Sequence, residues 1–112
     1  MEATSTPVLL ALPAEVLDTN LSALESEVLR LLGPGGTRLV VDLGQTNFLC
    51  SGGLGLLVKL SKRLHDRGGG LALARPRPPL ARLLRVVGLD PVLPWFPDIP
   101  AAAAHASGAR KR

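Results

Sequence analysis

Aromatic side chains are scarce in this chain, which has no tyrosine, one tryptophan and two phenylalanines among 112 residues. A core must therefore be built from Leu, Val and Ala, and there is little to stack on nucleotide bases. Cysteine is scarcer still. Cys50 is the only one, so no internal disulfide can form and a reducing compartment is expected. No apolar run approaches the roughly 20 residues that span a bilayer. The opening MEATSTP lacks the basic segment of a secretory signal. The expected location is the cytoplasm, with no membrane partner. Acid is short in one region only. Residues 51–90 hold eight bases against two acids, Asp66 and Asp90, whereas residues 1–50 hold six acids and two bases. A basic face can attract nucleic acid or an acidic protein. It is equally the solvated side of two amphipathic helices. No aromatic residue is interleaved with the bases, so no nucleic-acid partner is expected.

What the chain does have is alternation. VLLAL (Val8 to Leu12) reads as a strand, ended by Pro13. Asp18, Thr19 and Asn20 are N-cap candidates for a helix with Leu21, Leu24, Val28, Leu31 and Leu32 on one face, which GPGG stops. LVVDL (Leu39 to Leu43) is nearly all apolar, as a strand buried on both faces would be. A second helix with Leu54, Leu57, Val58, Ser61 and Leu64 on its stripe runs to Gly68–Gly70, and LALA (Leu71 to Ala74) is the next strand. Pro78 and Pro79 start a third helix, Gly88 ends it, VLPWF reads as an edge strand, and PDIPAAAAHA as a last short helix. The expected fold is α/β. It has a mixed, mainly parallel sheet of four to five strands, with helices mainly on one face. One domain is expected over 1–112, with its core at about 8–104 and a basic flexible tail at 105–112.

The chemistry-bearing stretch is FLCSGGLG, Phe48 to Gly55, where a strand turns into the second helix. Four enzyme loops fail on named residues. No glycine of the turn precedes a lysine, as a nucleotide-hydrolase loop requires. Gly52, Gly53 and Gly55 lack the dinucleotide spacing. Leu56 stands where a Cys-x5-Arg phosphatase loop needs arginine, and Leu49 where a nucleophile elbow needs glycine. The histidines, His65 and His105, fall far along the chain from Ser51, so no general base is at hand. No spacing suits a metal. No catalysis, cofactor or metal is expected.

Ser51 has two readings. It can be the N-cap of the second helix. It can also be a phosphoacceptor, since a helix N-terminus tolerates the roughly −1.5 to −2 charge of phosphoserine. Cys50 is open among a small buried apolar residue, a thiolate favoured by the helix end, and a position with no role.

The run VVDLGQTNFLCSGGLGLLVKL, followed by RGGGLALARPRPPLARLLRVVGLDPVLP, resembles the STAS domain of anti-sigma-factor antagonists. The similarity extends from about Val8 to Ala104 and is strongest over 39–95. The resemblance implies a protein-binding module whose serine after the motif aspartate, here Ser51, is phosphorylated by its own partner, an ATP-dependent anti-sigma factor kinase. A serine phosphatase would reset it. Cys50 replaces the family aspartate, and Gly52 the following Ser/Thr. The expected partner surface is Glu15, Asp18, Cys50, Ser51, Gly52, Gly53, Lys59 and Lys62. The alternative is a degenerate STAS scaffold subunit that binds its partner constitutively.

Overall fold

A computed structural model describes residues 7–89 and 91–106. Its centre is β3, Arg38–Asp42, flanked by β1, Val8–Ala11, and β5, Gly70–Ala74. A two-residue strand, β6 (Trp95–Phe96), closes the far edge, and the order is β1-β3-β5-β6. Every pairing in this sheet is parallel among the described residues, so the mainly parallel sheet of four to five strands expected from the sequence is found here with four. The sequence expectation of an edge strand around Pro94 holds. The Pro94 carbonyl accepts from Leu73 N–H at 2.9 Å, a bond that needs no N–H from proline.

The two faces of the sheet differ in side-chain size. Leu39, Val41, Leu71 and Leu73 point to one core, shared with Val28 of α1 (Leu21–Leu32), Leu57, Leu60 and Leu64 of α2 (Ser51–Asp66), and Leu80 and Leu84 of α3 (Pro78–Val86). Val40, Ala72 and Ala74 point the other way, onto Ala102 and Ala106 of α4, Ile99–Ala106. Small residues on both sides let α4 lie close to the sheet. Three helices thus cover one face and a single alanine-rich helix the other, as the expectation of helices mainly on one face requires. Asp98 caps α4, accepting from Ala101 N–H at 2.8 Å. His105 and Ala106, which the sequence reading counted both in the last short helix and at the start of the tail, belong to α4, and the rest of the expected tail, 107–112, lies outside the described residues. No aromatic ring is fully buried. Trp95 and Phe96 are half-buried and Phe48 is exposed.

Two strands escaped the sequence reading. β2, Glu15–Val16, pairs in parallel with β4, Phe48–Leu49, as a separate two-stranded sheet. Two residues are too few to show a period. This small sheet fixes the start of α2.

Candidate functional site at the strand-to-helix turn

The turn is held from below by main-chain hydrogen bonds. Asn47 and Phe48 N–H groups donate to the Ala14 carbonyl at 2.7 and 3.2 Å, and Cys50 N–H donates to Val16 O at 3.0 Å. Buried Thr46 donates its hydroxyl to Leu12 O at 3.3 Å. Residues 12–16 therefore run beside 46–50, and Glu15 stands opposite Phe48. Asn20 braces the segment that follows. Its Oδ1 accepts from Leu17 N–H at 2.8 Å and its Nδ2 donates to Glu15 O at 3.0 Å. That side chain does not cap α1, which has no side-chain cap at Asn20.

The last bond to the small sheet, at Cys50 N–H, sets which residue caps α2. Cys50 keeps extended dihedrals, φ −68° and ψ 165°, and its Sγ accepts from Gly53 N–H at 3.4 Å. Its carbonyl accepts from Leu54 N–H at 3.1 Å. Cys50 is the N-cap, and Ser51 is the first helical residue. This corrects the reading of Ser51 as the cap, and it gives the half-buried Cys50 a structural task. The exposed Ser51 hydroxyl makes no hydrogen bond to any described residue, and its own N–H and that of Gly52 are among the unpaired donors that open a helix. A thiol is a weak acceptor. Cys50→Asp is therefore expected to stabilise the fold by about 1 kcal/mol through a better cap and a favourable charge at the helix end. Chemical denaturation of the two proteins checks it, and an unchanged or lower midpoint would count against Cys50 as cap.

The glycines of the turn are explained by close approach. A Cβ on Gly53 would stand 2.7 Å from Leu49 Cδ1 and 2.9 Å from Val16 Cγ1, both buried. On Gly52 it would meet Leu21 Cδ1 at 2.7 Å. The smallest residue at these positions seats the first turn of α2 against the small sheet and α1.

Behind the turn, Arg75 grips Asp42 with two bonds, Nε to Oδ1 at 3.0 Å and Nη2 to Oδ2 at 2.7 Å, and Gly44 N–H adds a third at 2.9 Å. The clamp joins the ends of β3 and β5 where the loop to the turn departs. Arg75 holds the Asp42 carboxyl below the usual carboxylate range. The hydrogen bond to its guanidinium outweighs the opposing effect of burial, and Gly44 adds to it. The folded pKa lies below the unfolded one. The stabilisation is thus complete above the ordinary carboxylate range and is lost as pH falls through it toward the folded value. Stability measured between pH 6 and pH 3 (roughly the span of carboxylate titration) is expected to fall, and less steeply in Asp42→Asn. Equal slopes for the two proteins would remove Asp42 from the account.

The structure brings most of the expected site residues to one place. Glu15, Asp18, Cys50, Ser51, Gly52 and Gly53 gather at the small sheet and the start of α2. Asp18, Gly52 and Lys59 also line a groove of about 400 Å³ between α1 and α2. Lys59 is engaged there, donating to Glu25 of α1 at 3.1 Å. Lys62 stands apart. From position 51 to 62 the helix rises about 16 Å, and Lys62 lines a different cavity. Sequence reasoning missed Phe48 and Leu17, which are 49% and 36% exposed. With Glu15 they occupy the outer face of the small sheet, by the alternation that sends Val16 and Leu49 inward. The available signal was scarcity. Of the three aromatic residues of the chain, Phe48 is the one left exposed, three positions before the exposed Ser51.

A family model described as "Mlab, STAS domain" matches residues 1–94. This chain belongs to the STAS domain family. A relative named as an anti-sigma factor antagonist, BtrV of Bordetella bronchiseptica, is 29% identical over 89 residues, which cover 80% of this STAS domain and 77% of BtrV. A protein named as an anti-sigma F factor antagonist, from Paenibacillus polymyxa, is 34% identical over 58 residues, 52% of this chain and 50% of that one. Among solved structures, a Thermotoga maritima protein described as an anti-sigma factor antagonist superposes with a TM-score of 0.76 at 23% identity, covering 88% of this chain and 86% of its own. A STAS domain protein of Planctomyces limnophilus gives 0.74 at 24% identity, with 93% of each chain covered. At those identities the likeness is one of fold.

Proposed function

We propose that this STAS domain is an anti-sigma-factor antagonist whose hold on its partner is switched at Ser51. The unmodified face, made by Glu15, Leu17, Asp18, Phe48, Ser51 and Gly52, binds an anti-sigma factor that is also an ATP-dependent serine kinase. Phosphorylation of Ser51 releases that partner, and a serine phosphatase restores the binding form. One observation carries the reading. Cys50 does the capping, so the Ser51 hydroxyl is exposed and has no structural duty. A phosphate there meets unpaired N–H groups and the positive end of α2, so the fold tolerates the modification while the docking face gains about two negative charges. The names of the Bordetella and Paenibacillus relatives point to the same partner class.

The test is calorimetric titration of the cognate anti-sigma factor with three forms of the full chain. Ser51→Ala is expected to bind within about threefold of the native protein. Ser51→Asp is expected to lose about 100-fold or more, the scale of a like charge set into an interface. An intact-mass gain of about 80 Da at Ser51, after incubation with that partner and ATP, is expected alongside. A second reading has its own support. The residue beside Ser51 is Cys50 and not an aspartate, and Gly52 lacks a hydroxyl, which fits a scaffold subunit that binds constitutively. That reading requires Ser51→Asp to bind normally, and such a result would replace the switch.

A further inference from the structure

A cavity of useful size lies away from the turn. It encloses about 640 Å³ between the second half of α2, the first residues of β5, the loop before β6, and α4. That volume suits a small organic ligand. Its walls divide by chemistry. Leu71, Val92 and Pro94 supply apolar surface, while Lys62, His65 and Asp66 bring polar groups from α2. The wall is also built to stay in place. Ser61 donates its hydroxyl to the Val92 carbonyl at 2.8 Å, tying the loop to α2. Gly69 and Gly70 form part of the lining with no side chains of their own. A Cβ added to Gly70 meets nothing within 4 Å, so open space lies directly over the start of β5.

We propose that this cavity binds a small amphipathic carboxylate, its charged end held by Lys62 and His65 and its body laid on Leu71, Val92 and Pro94. The donors decide the sign. Lys62 is an exposed ammonium that pairs with no carboxylate of the described residues. An imidazole offers an N–H in either charge state. Among the described residues Asp66 is the one carboxylate on the lining, and its presence favours a single negative charge over a polyphosphate. The mixture of a broad apolar wall with few charged groups is that of a metabolite site rather than of a docking face. The cavity adjoins the same helix that begins at Ser51 but sits at its other end, so it stands or falls separately from the switch proposed above.

The test is an NMR titration of the 15N-labelled full chain with sodium octanoate, using 1-octanol as the uncharged match. Octanoate is expected to move the amide signals of Gly69, Gly70, Leu71 and Val92 saturably, and octanol to bind about tenfold more weakly or worse. Lys62→Gln, an exposed substitution, is expected to weaken octanoate about tenfold with the rest of the spectrum unchanged. Gly70→Leu fills the open space and is expected to abolish the shifts. If that variant fails to fold, Lys62→Gln still decides the matter. Absence of saturable shifts at those four amides up to about 10 mM octanoate overturns the site. Equal binding of octanoate and octanol, indifferent to Lys62→Gln, overturns the anion.

Discussion

Alanine at position 69 is expected to cost about 3 kcal/mol or more of folding stability, while alanine at position 70 changes stability by less than about 1 kcal/mol. The two glycines are neighbours, and propensity alone does not separate them. Geometry does. A Cβ on Gly69 would come within 1.7 Å of the Thr37 carbonyl oxygen, a main-chain atom that no rotamer change can move aside. Thr37 O also accepts from Gly70 N–H at 2.9 Å, just before β3 and β5 pair through Arg38 and Gly70. Making room for the methyl would pull the α2–β5 connection off β3 and break the first bond of the central ladder. On Gly70 the same methyl meets nothing within 4 Å. Urea unfolding of the two single variants measures the contrast. Native-like stability in Gly69→Ala would mean that the connection passes β3 at a greater distance than described.

Leu73→Ala is expected to cost about 3 kcal/mol, within the 2–5 kcal/mol range of buried leucine truncations. Leu73 is fully buried and pairs in register with Val41 of β3 and Trp95 of β6. It faces the larger of the two cores, where the helices α2 and α3 close over it. Flat sheet on one side and packed helices on the other leave few ways for neighbours to collapse into the space. The loss is a large part of the roughly 5–15 kcal/mol that holds a domain of this size together. Because the turn is fixed by its own main-chain bonds, the variant should retain partner affinity at temperatures where it is folded. The check is a denaturation midpoint together with that affinity. A loss below about 1 kcal/mol would show that this core repacks freely.

The parts of the fold that were legible in the sequence are those with a long enough pattern. LVVDL is apolar but for Asp42 and LALA is apolar throughout, and they became the two central strands, while stripes of leucine at helical spacing gave α1, α2 and α3. The mainly parallel sheet was legible from the alternation of strands and helices, whereas the extent of its edge was not, because Trp95–Phe96 is only two residues long. At the site, residue type misled by one position. Serine is the better cap by preference, yet the bond from Cys50 N–H to Val16 O ends the strand one residue earlier than composition suggested. Contacts between distant positions carried no local trace. Lys59 with Glu25 is 34 residues apart and Arg75 with Asp42 is 33. The first of these ties a lysine, expected to face a partner, to Glu25 across the seam between α1 and α2.

Cys50 caps the start of α2 and Ser51 leaves a hydroxyl in solvent. Two neighbouring codons thus hold two separable traits. A lineage can delete, restore or exchange the hydroxyl by one substitution while every intermediate keeps a finished helix and a folded domain. A change at position 51 is then felt at the surface and not in the fold.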